Sequence, residues 1–315
     1  MQITNTILMI RPVNFRKNEQ TAVNNYFQED IKAKNSEINK KAQKEFDTFV
    51  NVLRSNGVNV IVVEDKVETD TPDSIFPNNW ISFHENGTIA VYPMFAENRR
   101  MERREDIFDV LEAQGFLINN VVDYTSAEEE GIFLEGTGSI LFDRVNGKAY
   151  CALSERANEE LFIEYCEDFD CFPVVFTANQ TVNEERLPIY HTNVMMAMGE
   201  SFAVICLDAI DDKQERKSVI EHLKKDGKDI ISISEEQMHH FAGNMLQVIG
   251  RQDQRFMVMS SAAYHSLNTE QISSLEKYSK ILHSSLDTIE TCGGGSARCM
   301  MAEIFLPKEQ SLESI

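Results

Sequence analysis

Five stretches of the chain repeat one pattern, in which a short apolar strand, a turn and a second apolar strand follow one another. They begin at evenly spaced positions, namely residues 80, 139, 194, 245 and 300. The fifth stretch (300–306) lacks a second strand of its own, and we expect residues 6–12 near the N-terminus to supply it. Regular spacing of this kind indicates a repeat architecture, in which each unit buries its apolar face against its neighbours.

Two of these hairpins carry Asn-Gly between their apolar strands, at Asn86-Gly87 and Asn146-Gly147. This dipeptide is typical of a type I′ turn, because both central residues of that turn need a positive φ. The sequence therefore predicts tight hairpins of this type at both positions.

Amphipathic stretches typical of helices lie between the hairpins, over residues 37–56, 99–114, 158–169, 213–225 and 269–278. Gly57 and Gly115 directly follow the first two, as expected of glycines that end a helix. A Thr-x-x-Gln capping box is predicted to open the helix at Thr269. An apolar strand over residues 58–63 follows the first helix. Each unit is thus expected to consist of a hairpin, a helix and a strand.

Five such units around an axis predict a fivefold pseudosymmetric α/β propeller with its helices outside. We expect one domain over residues 1–308, followed by an acidic, frayed tail at residues 309–315. The alternative is an ordinary two-domain α/β fold whose hairpins are unrelated.

The charge of the chain limits its partners. Lys and Arg number 30 and Asp and Glu 51, for a net charge of -21, which disfavours nucleic acid and anionic membranes. No apolar run is long enough to span a membrane, and the N-terminus resembles a strand rather than a signal peptide. The six cysteines show neither CxxC nor zinc spacing, which favours a reduced cytoplasmic protein with mostly buried thiols. Homo-oligomer formation stays open.

The residues just before the hairpins are expected to converge at one end of the propeller axis. Three of them, Glu135, His191 and Cys299, come from different repeats and occupy the same position in each. They are the types needed for a thiol nucleophile, its acid/base partner and a carboxylate that orients the imidazole. Three glycines (293–295) and Arg298 precede Cys299, and a backbone that approaches a ligand closely beside a cation favours a thiolate. By contrast, the apolar surroundings of Cys151, Cys171 and Cys206 predict core residues.

Together, these pre-hairpin segments resemble those of the guanidino-group-modifying, or pentein, amidinotransferase superfamily, and in particular its citrulline-utilisation hydrolase branch. The motifs that carry the resemblance are FPNNW (76–80), FLEGTGS (133–139), HTNVMMA (191–197) and GGGSARCMMAEIF (293–305). The resemblance covers nearly the whole chain and implies the five-bladed fold, an amino-acid substrate and no metal or organic cofactor. It also implies that Cys299 is the nucleophile and that His191 and Glu135 are its catalytic partners.

The same resemblance extends to substrate-binding positions. It implies that Asp73 meets the α-amino group of the substrate, and that Arg99 and Arg156 are candidates for its α-carboxylate. Asn78 and Asn79 stand where the family has two carboxylates that bind the guanidinium.

At a further position, Asn193 stands where the family has an aspartate. A guanidinium offers only N–H donors and suits carboxylates, whereas an amide also suits the carbonyl oxygen of a neutral ureido group. The asparagines therefore favour citrulline, cleaved to ornithine, ammonia and carbon dioxide through a thiol adduct, with Asn79 or Asn193 stabilising the oxyanion.

Three alternatives remain open. The first is a deiminase or dihydrolase that acts on an arginine derivative, and the second is an amidinotransferase, in which an amine intercepts the covalent intermediate. The third is a non-catalytic pentein binding module, which the presence of Glu135, His191 and Cys299 at matched positions disfavours.

Overall fold

Seventeen strands form in the computed structural model, which describes residues 1–309. The strands are β1 (Thr6–Arg11), β2 (Asn59–Glu64), β3 (Ile81–Phe83), β4 (Thr88–Val91), β5 (Asn120–Asp123), β6 (Ile140–Asp143), β7 (Lys148–Leu153), β8 (Phe172–Thr177), β9 (Asn179–Val182), β10 (Glu185–Pro188), β11 (Met196–Met198), β12 (Phe202–Ile205), β13 (Asp229–Ser232), β14 (Leu246–Ile249), β15 (Arg255–Ser260), β16 (Lys280–Ser284) and β17 (Ala302–Glu303).

Each predicted hairpin is an antiparallel strand pair that a third, parallel strand extends. The five three-stranded sheets have the orders β17-β1-β2, β3-β4-β5, β6-β7-β8, β11-β12-β13 and β14-β15-β16. A separate two-stranded ribbon, β9-β10, was not predicted from the sequence. Within residues 1–309 the sheets share no strand, so that the fold is mixed α/β without a closed barrel.

The two ends of the chain meet in one sheet. β1 pairs with β17 in antiparallel fashion, with Ile7 opposite Glu303 and Leu8 opposite Ala302. The predicted pairing of residues 6–12 with residues 300–306 is thereby confirmed. Of the predicted tail, residues 310–315 lie outside the described residues.

The hairpin turns differ from the prediction. Gly87 and Gly147 have positive φ values of 83° and 59°, but Asn86 and Asn146 do not. The type I′ prediction is therefore wrong at both hairpins. Four residues separate the paired strands, and a loop of this length reverses the chain with a left-handed residue only at its end.

Ten α-helices lie between and before the strands: α1 (Asn35–Ser55), α2 (Asp106–Glu112), α3 (Gly136–Ser139), α4 (Glu159–Asp168), α5 (Thr192–Met195), α6 (Lys213–Lys225), α7 (Glu235–His239), α8 (Ser261–Ser266), α9 (Thr269–Glu276) and α10 (Asp287–Gly293), counted over residues 1–309.

Two helix predictions need correction. The stretch 99–114 is not one helix, since a 3-10 turn (Glu97–Glu102) precedes α2. In this turn Arg99 and Glu102 are buried and pair with each other. The capping box of α9 is formed by Asn268 rather than by Thr269.

The apolar faces predicted for the helices are buried against the sheets. On α1, for example, Phe46, Phe49 and Leu53 are almost fully buried beside strand residues. Burying one such side chain contributes roughly 1.5–3 kcal/mol to the free energy of unfolding. Among residues 1–309, no helix combines the length and apolar character that crossing a membrane requires.

Candidate active site

Short helical turns directly before the sheets carry the predicted site residues. Glu135 is the N-cap of α3 and His191 is the N-cap of α5. The turns pack so closely that a Cβ atom on Gly138 would lie 2.5 Å from Asn79 Nδ2 and 2.7 Å from His191 Nδ1. Gly136, at a φ of 45°, would meet Asn78 O at 2.4 Å. Glycines at these two positions therefore let segments from different repeats meet.

Glu135 and His191 form a buried hydrogen-bonded pair, with 2.7 Å between His191 Nε2 and Glu135 Oε2. Burial would raise the pKa of Glu135, but Arg156, the hydrogen bond with His191 and Arg99 outweigh it and lower that pKa to about 2. Burial lowers the pKa of His191 to about 4, against the opposing effect of Glu135. At neutral pH an ionised Glu135 thus accepts the Nε2 proton of a neutral imidazole, and the lone pair of Nδ1 is left to act as a base.

The Cys299 thiol is buried among amide groups. Asn244 Nδ2 donates to Cys299 Sγ at 3.2 Å, and Asn193 Nδ2 does so at 3.6 Å. Burial raises the pKa of Cys299, although these contacts and Arg298 oppose the rise. The resting thiol is therefore protonated at neutral pH, with donors in place for a thiolate.

Sequence reasoning gave no role to Asn244, which also donates to Asn193 O at 2.9 Å and accepts from Arg298 N at 3.0 Å. Its position in the sequence could have indicated a role, because Asn244 precedes the fourth hairpin just as Glu135 and His191 precede the second and third.

The other asparagines point to different partners. Asn79 accepts from Arg99 Nη1 at 2.8 Å and donates to Asn78 Oδ1 at 3.1 Å, so its amide is engaged away from Cys299. Of the two asparagines predicted to stabilise an oxyanion, the structure brings Asn193 to the thiol.

Two polar atoms of the predicted substrate-binding residues, Asp73 Oδ1 and Asn78 Nδ2, are buried and make no hydrogen bond within residues 1–309. Unpaired buried groups are costly, and a polar ligand could donate to the acceptor of Asp73 and accept from the donor of Asn78.

The two predicted carboxylate-binding arginines are both buried, at 2% exposure. Arg99 binds both carboxylate oxygens of Glu102, each at 2.9 Å. Arg156 donates from Nε to Asn24 Oδ1 at 2.9 Å, whereas its Nη1 makes no hydrogen bond within residues 1–309 and lies 3.6 Å from Glu135 Oε2. Arg156 is thus the better placed of the two to meet a substrate carboxylate.

Acidic groups outnumber basic ones in this buried cluster, where Asp73, Glu102 and Glu135 face Arg99 and Arg156. Burial raises the pKa of Asp73, and it raises that of Glu102 to about 8 despite the pairing with Arg99. With Glu102 protonated at neutral pH, the negative charges of the cluster do not outnumber the positive ones, and a cationic ligand would favour ionisation of Asp73 and Glu102.

A polar segment, residues 18–28, lies over the site, and we call it the strap. Asn18 and Thr21 donate to Asp73 Oδ2 at 2.8 and 3.0 Å. Sequence reasoning missed the strap because its polar residues follow neither a helix nor a strand period.

The strap is also bound to the glycine-rich segment before Cys299. Asn25 and Gln28 donate to Gly293 O at 3.3 and 3.1 Å, and Asn24 accepts from Arg156. These strap residues are themselves buried, so the strap closes the site from solvent.

Solved structures with the same fold belong to the pentein superfamily. ArgZ, an arginine dihydrolase from the ornithine-ammonia cycle in cyanobacteria, is 17% identical with a TM-score of 0.72 over 96% of this chain and 41% of its own. AgrE in complex with ornithine and NAD+ is 16% identical with a TM-score of 0.72 over 97% of this chain and 40% of its own. A dimethylarginine dimethylaminohydrolase variant with an S-methyl-L-thiocitrulline adduct is 14% identical, with a TM-score of 0.64 over 96% and 100%. The chain thus spans less than half of the full-length ArgZ and AgrE chains.

A comparison with curated proteins gives no match. The family described as N,N dimethylarginine dimethylhydrolase, eukaryotic, matches residues 11–306. The chain belongs to this family, which confirms the predicted relation to the guanidino-modifying superfamily. The description of this family is that of a hydrolase.

Proposed function

We propose that this chain is a cysteine-dependent dihydrolase, which cleaves arginine or a close arginine derivative to ornithine, ammonia and carbon dioxide. One observation carries the proposal: Glu135 and His191 form a buried pair, and Asn193, two residues beyond His191, contacts the buried Cys299 thiol. Around the pair, carboxyl groups outnumber the two arginines, which lie 3.9 Å (Arg99) and 3.6 Å (Arg156) from Glu135 Oε2. ArgZ is an arginine dihydrolase, and AgrE structures contain ornithine or L-arginine, which supports this substrate class.

Substrate charge would help to form the nucleophile. The free acceptor of Asp73 takes the α-ammonium group, and Nη1 of Arg156 takes the α-carboxylate. The guanidinium enters beside Cys299, where its positive charge favours loss of the thiol proton, with His191 as the base. Amide donors from Asn244 and Asn193 hold the resulting thiolate.

The thiolate then attacks the guanidino carbon, and His191 delivers a proton to the departing nitrogen. Glu135 keeps the imidazole in the required tautomer and stabilises it when it is protonated. Water, activated by His191, cleaves this first thiol adduct to the free thiol and citrulline. A second attack by Cys299 on the ureido carbon expels the second ammonia, and water cleaves the resulting thiocarbamate to the free thiol and a carbamate, which breaks down to ornithine and carbon dioxide. A cysteine-to-serine variant of ArgZ binds its substrate, and an asparagine-to-serine variant is covalently bound to a reaction intermediate, in agreement with these roles.

A dihydrolase must hold a cationic guanidinium first and a neutral ureido group second. The carboxylates of this site suit the first stage. The amides of Asn78 and Asn193 suit the second, because an amide donates to a ureido oxygen and accepts from its N–H groups. Asn79 accepts from Arg99 and donates to Asn78 Oδ1, so we assign Arg99 and Asn79 a positioning role toward Asn78.

The arrangement of the chain around this site is part of the proposal. Five sheets of the same internal order, with β1 and β17 in one of them, support a fivefold pseudosymmetric ring and a single domain over residues 1–308. The site residues then come from the same end of successive repeats.

Product analysis tests the function. Purified enzyme is incubated with arginine, dimethylarginine, citrulline, agmatine and N-succinylarginine, and ammonia and ornithine are quantified. We expect two ammonia molecules for each ornithine formed from arginine, and none from a Cys299→Ser variant. One ammonia with accumulation of citrulline would instead identify a deiminase, and transfer to added glycine or ornithine an amidinotransferase.

Hydrolysis of citrulline alone is the second candidate. It is favoured by the asparagines at positions where the family has carboxylates, Asn78, Asn79 and Asn193, since the missing anions leave a buried guanidinium less well compensated. Turnover of citrulline without turnover of any guanidino compound would establish it.

A further inference from the structure

Away from the active site, the C-terminus of α4 brings two cysteines together. Asp170 has a φ of 49°, and Cys171 N donates to Cys166 O at 2.9 Å. These are the marks of a Schellman motif, in which the first residue beyond the left-handed position contacts a side chain in the last helical turn. Here those two positions are Cys171 and Cys166, and each thiol perturbs the pKa of the other.

The motif holds the two cysteines at a distance that permits a disulfide. Because the N–H of Cys171 bonds directly to the C=O of Cys166, their Cα atoms lie within about 7 Å of each other, the upper limit for that bond. Only the turn at residues 167–170 separates them, so the bond would need no large movement of the chain.

The two thiols differ in access to solvent. Cys166 is 1% exposed, whereas Cys171 is half-buried, contrary to the core position predicted for it, and lines a surface cavity of about 280 Å³. Arg144 and Lys148 line the same cavity. Lys148 pairs with Asp226 at 2.6 Å, but Arg144 has no ion pair within residues 1–309. An accessible sulfur thus shares a cavity with the Arg144 cation, although Glu85, Asp143 and Asp170 line the same cavity.

The difference in exposure assigns the two thiols unequal roles. The neighbouring Cys166 lowers the pKa of Cys171, against the effects of burial and Asp170 and with the help of Arg144. Cys171, together with burial, raises the pKa of Cys166. The accessible Cys171 is therefore the sulfur that reacts first, and the buried Cys166 is the one that follows.

We infer that Cys166 and Cys171 are a peroxide-sensitive dithiol that closes to an intramolecular disulfide. The Cys171 thiolate attacks one oxygen of hydrogen peroxide, the O–O bond breaks, and a sulfenic acid and hydroxide form. The sulfur of Cys166 then attacks the sulfenyl sulfur, the S–O bond breaks, and the second hydroxide leaves as water with the proton of Cys166. The two sulfurs together lose two electrons, and the peroxide gains them.

The catalytic thiol is a poorer target for the same oxidant. Cys299 is 3% exposed, lies under the strap and has a raised pKa because of its burial. Mild oxidation is therefore expected at the dithiol while Cys299 stays reduced and the enzyme keeps its activity.

Mass spectrometry of the full chain tests this inference. The protein is treated with a small molar excess of hydrogen peroxide, alkylated under denaturing conditions and digested with trypsin. Both cysteines fall in one tryptic peptide, residues 157–186. We expect this peptide to lack two hydrogen atoms and to carry no alkyl group, while the other four cysteines are alkylated.

Two variants separate the roles. A Cys166→Ser variant should accumulate a sulfenic acid at Cys171 that dimedone traps. A Cys206→Ser variant, which removes a buried thiol elsewhere, should form the disulfide as the unmodified chain does. The inference is overturned if the unmodified chain keeps both thiols of peptide 157–186 alkylatable while another cysteine is oxidised, or if Cys171 pairs with a second molecule.

Discussion

Replacing Asn244 with alanine should raise the pKa of the Cys299 thiol. The substitution removes the shorter of the two amide contacts to the sulfur, 3.2 Å against 3.6 Å for Asn193. A hydrogen bond to a charged group contributes about 1.5–3 kcal/mol, and one pKa unit corresponds to about 1.4 kcal/mol. The pKa should therefore rise by about one to two units, and kcat/KM at neutral pH should fall by roughly tenfold to a hundredfold.

The assay is the pH dependence of iodoacetamide alkylation at Cys299, followed on its own peptide so that other thiols do not contribute. Asn193→Ala should shift the midpoint in the same direction by less, because its contact is longer. Asn51→Ala, on the exposed face of α1, serves as the matched control and should leave the midpoint in place. An unshifted midpoint in a folded Asn244→Ala protein would refute the role of this amide.

Three further predictions follow from the site and its surroundings. His191→Ala should lower ammonia release by about 10²- to 10⁴-fold with the fold intact by circular dichroism, and a loss below tenfold would contradict general acid–base catalysis by this residue. Asn79→Asp combined with Asn193→Asp should raise the ratio of guanidino to citrulline turnover, because each change should lower citrulline turnover by about tenfold or more. An unchanged ratio in substrate competition would show that these amides do not select the ureido group. Burial raises the pKa of Glu290 to about 7. Between about pH 4.5 and 7 the folded protein therefore keeps a proton that the unfolded chain releases. The free energy of unfolding falls by up to about 3 kcal/mol as the pH rises through this range. Urea unfolding of Glu290→Gln should accordingly show a stability gain over the unmodified chain that is larger at pH 8 than at pH 5, and an equal gain at both would mean that Glu290 is ionised in the folded state.

The repeat made part of this site predictable. Glu135, His191 and Cys299 lie far apart in the sequence, but each directly precedes an apolar hairpin. In the structure Glu135 pairs with His191, and Asn193, two residues beyond His191, contacts the Cys299 thiol, so the shared position before a hairpin predicted neighbouring residues. The pairing of β1 with β17 was accessible for the same reason.

The polar contacts that hold the site were not predictable in this way. A helix pattern over residues 99–114 hid the 3-10 turn, because periodicity does not reveal that Arg99 and Glu102 turn inward as a pair. The turn type failed at Asn86 and Asn146 because loop length, which the sequence leaves open, decides which residues need a positive φ.

The composition of the strap has a thermodynamic consequence. Its attachment rests mainly on amide and hydroxyl hydrogen bonds, and apart from Phe27 few of its apolar groups are packed away. Opening the strap therefore exposes little apolar surface, and the equilibrium between closed and open forms should have a small heat-capacity change and a weak dependence on urea. Amide hydrogens at residues 18–28 should exchange through this local opening at a rate that denaturant barely alters, well apart from the cooperative unfolding of the sheets. Admission of substrate is thereby separated from the stability of the fold that carries the catalytic groups.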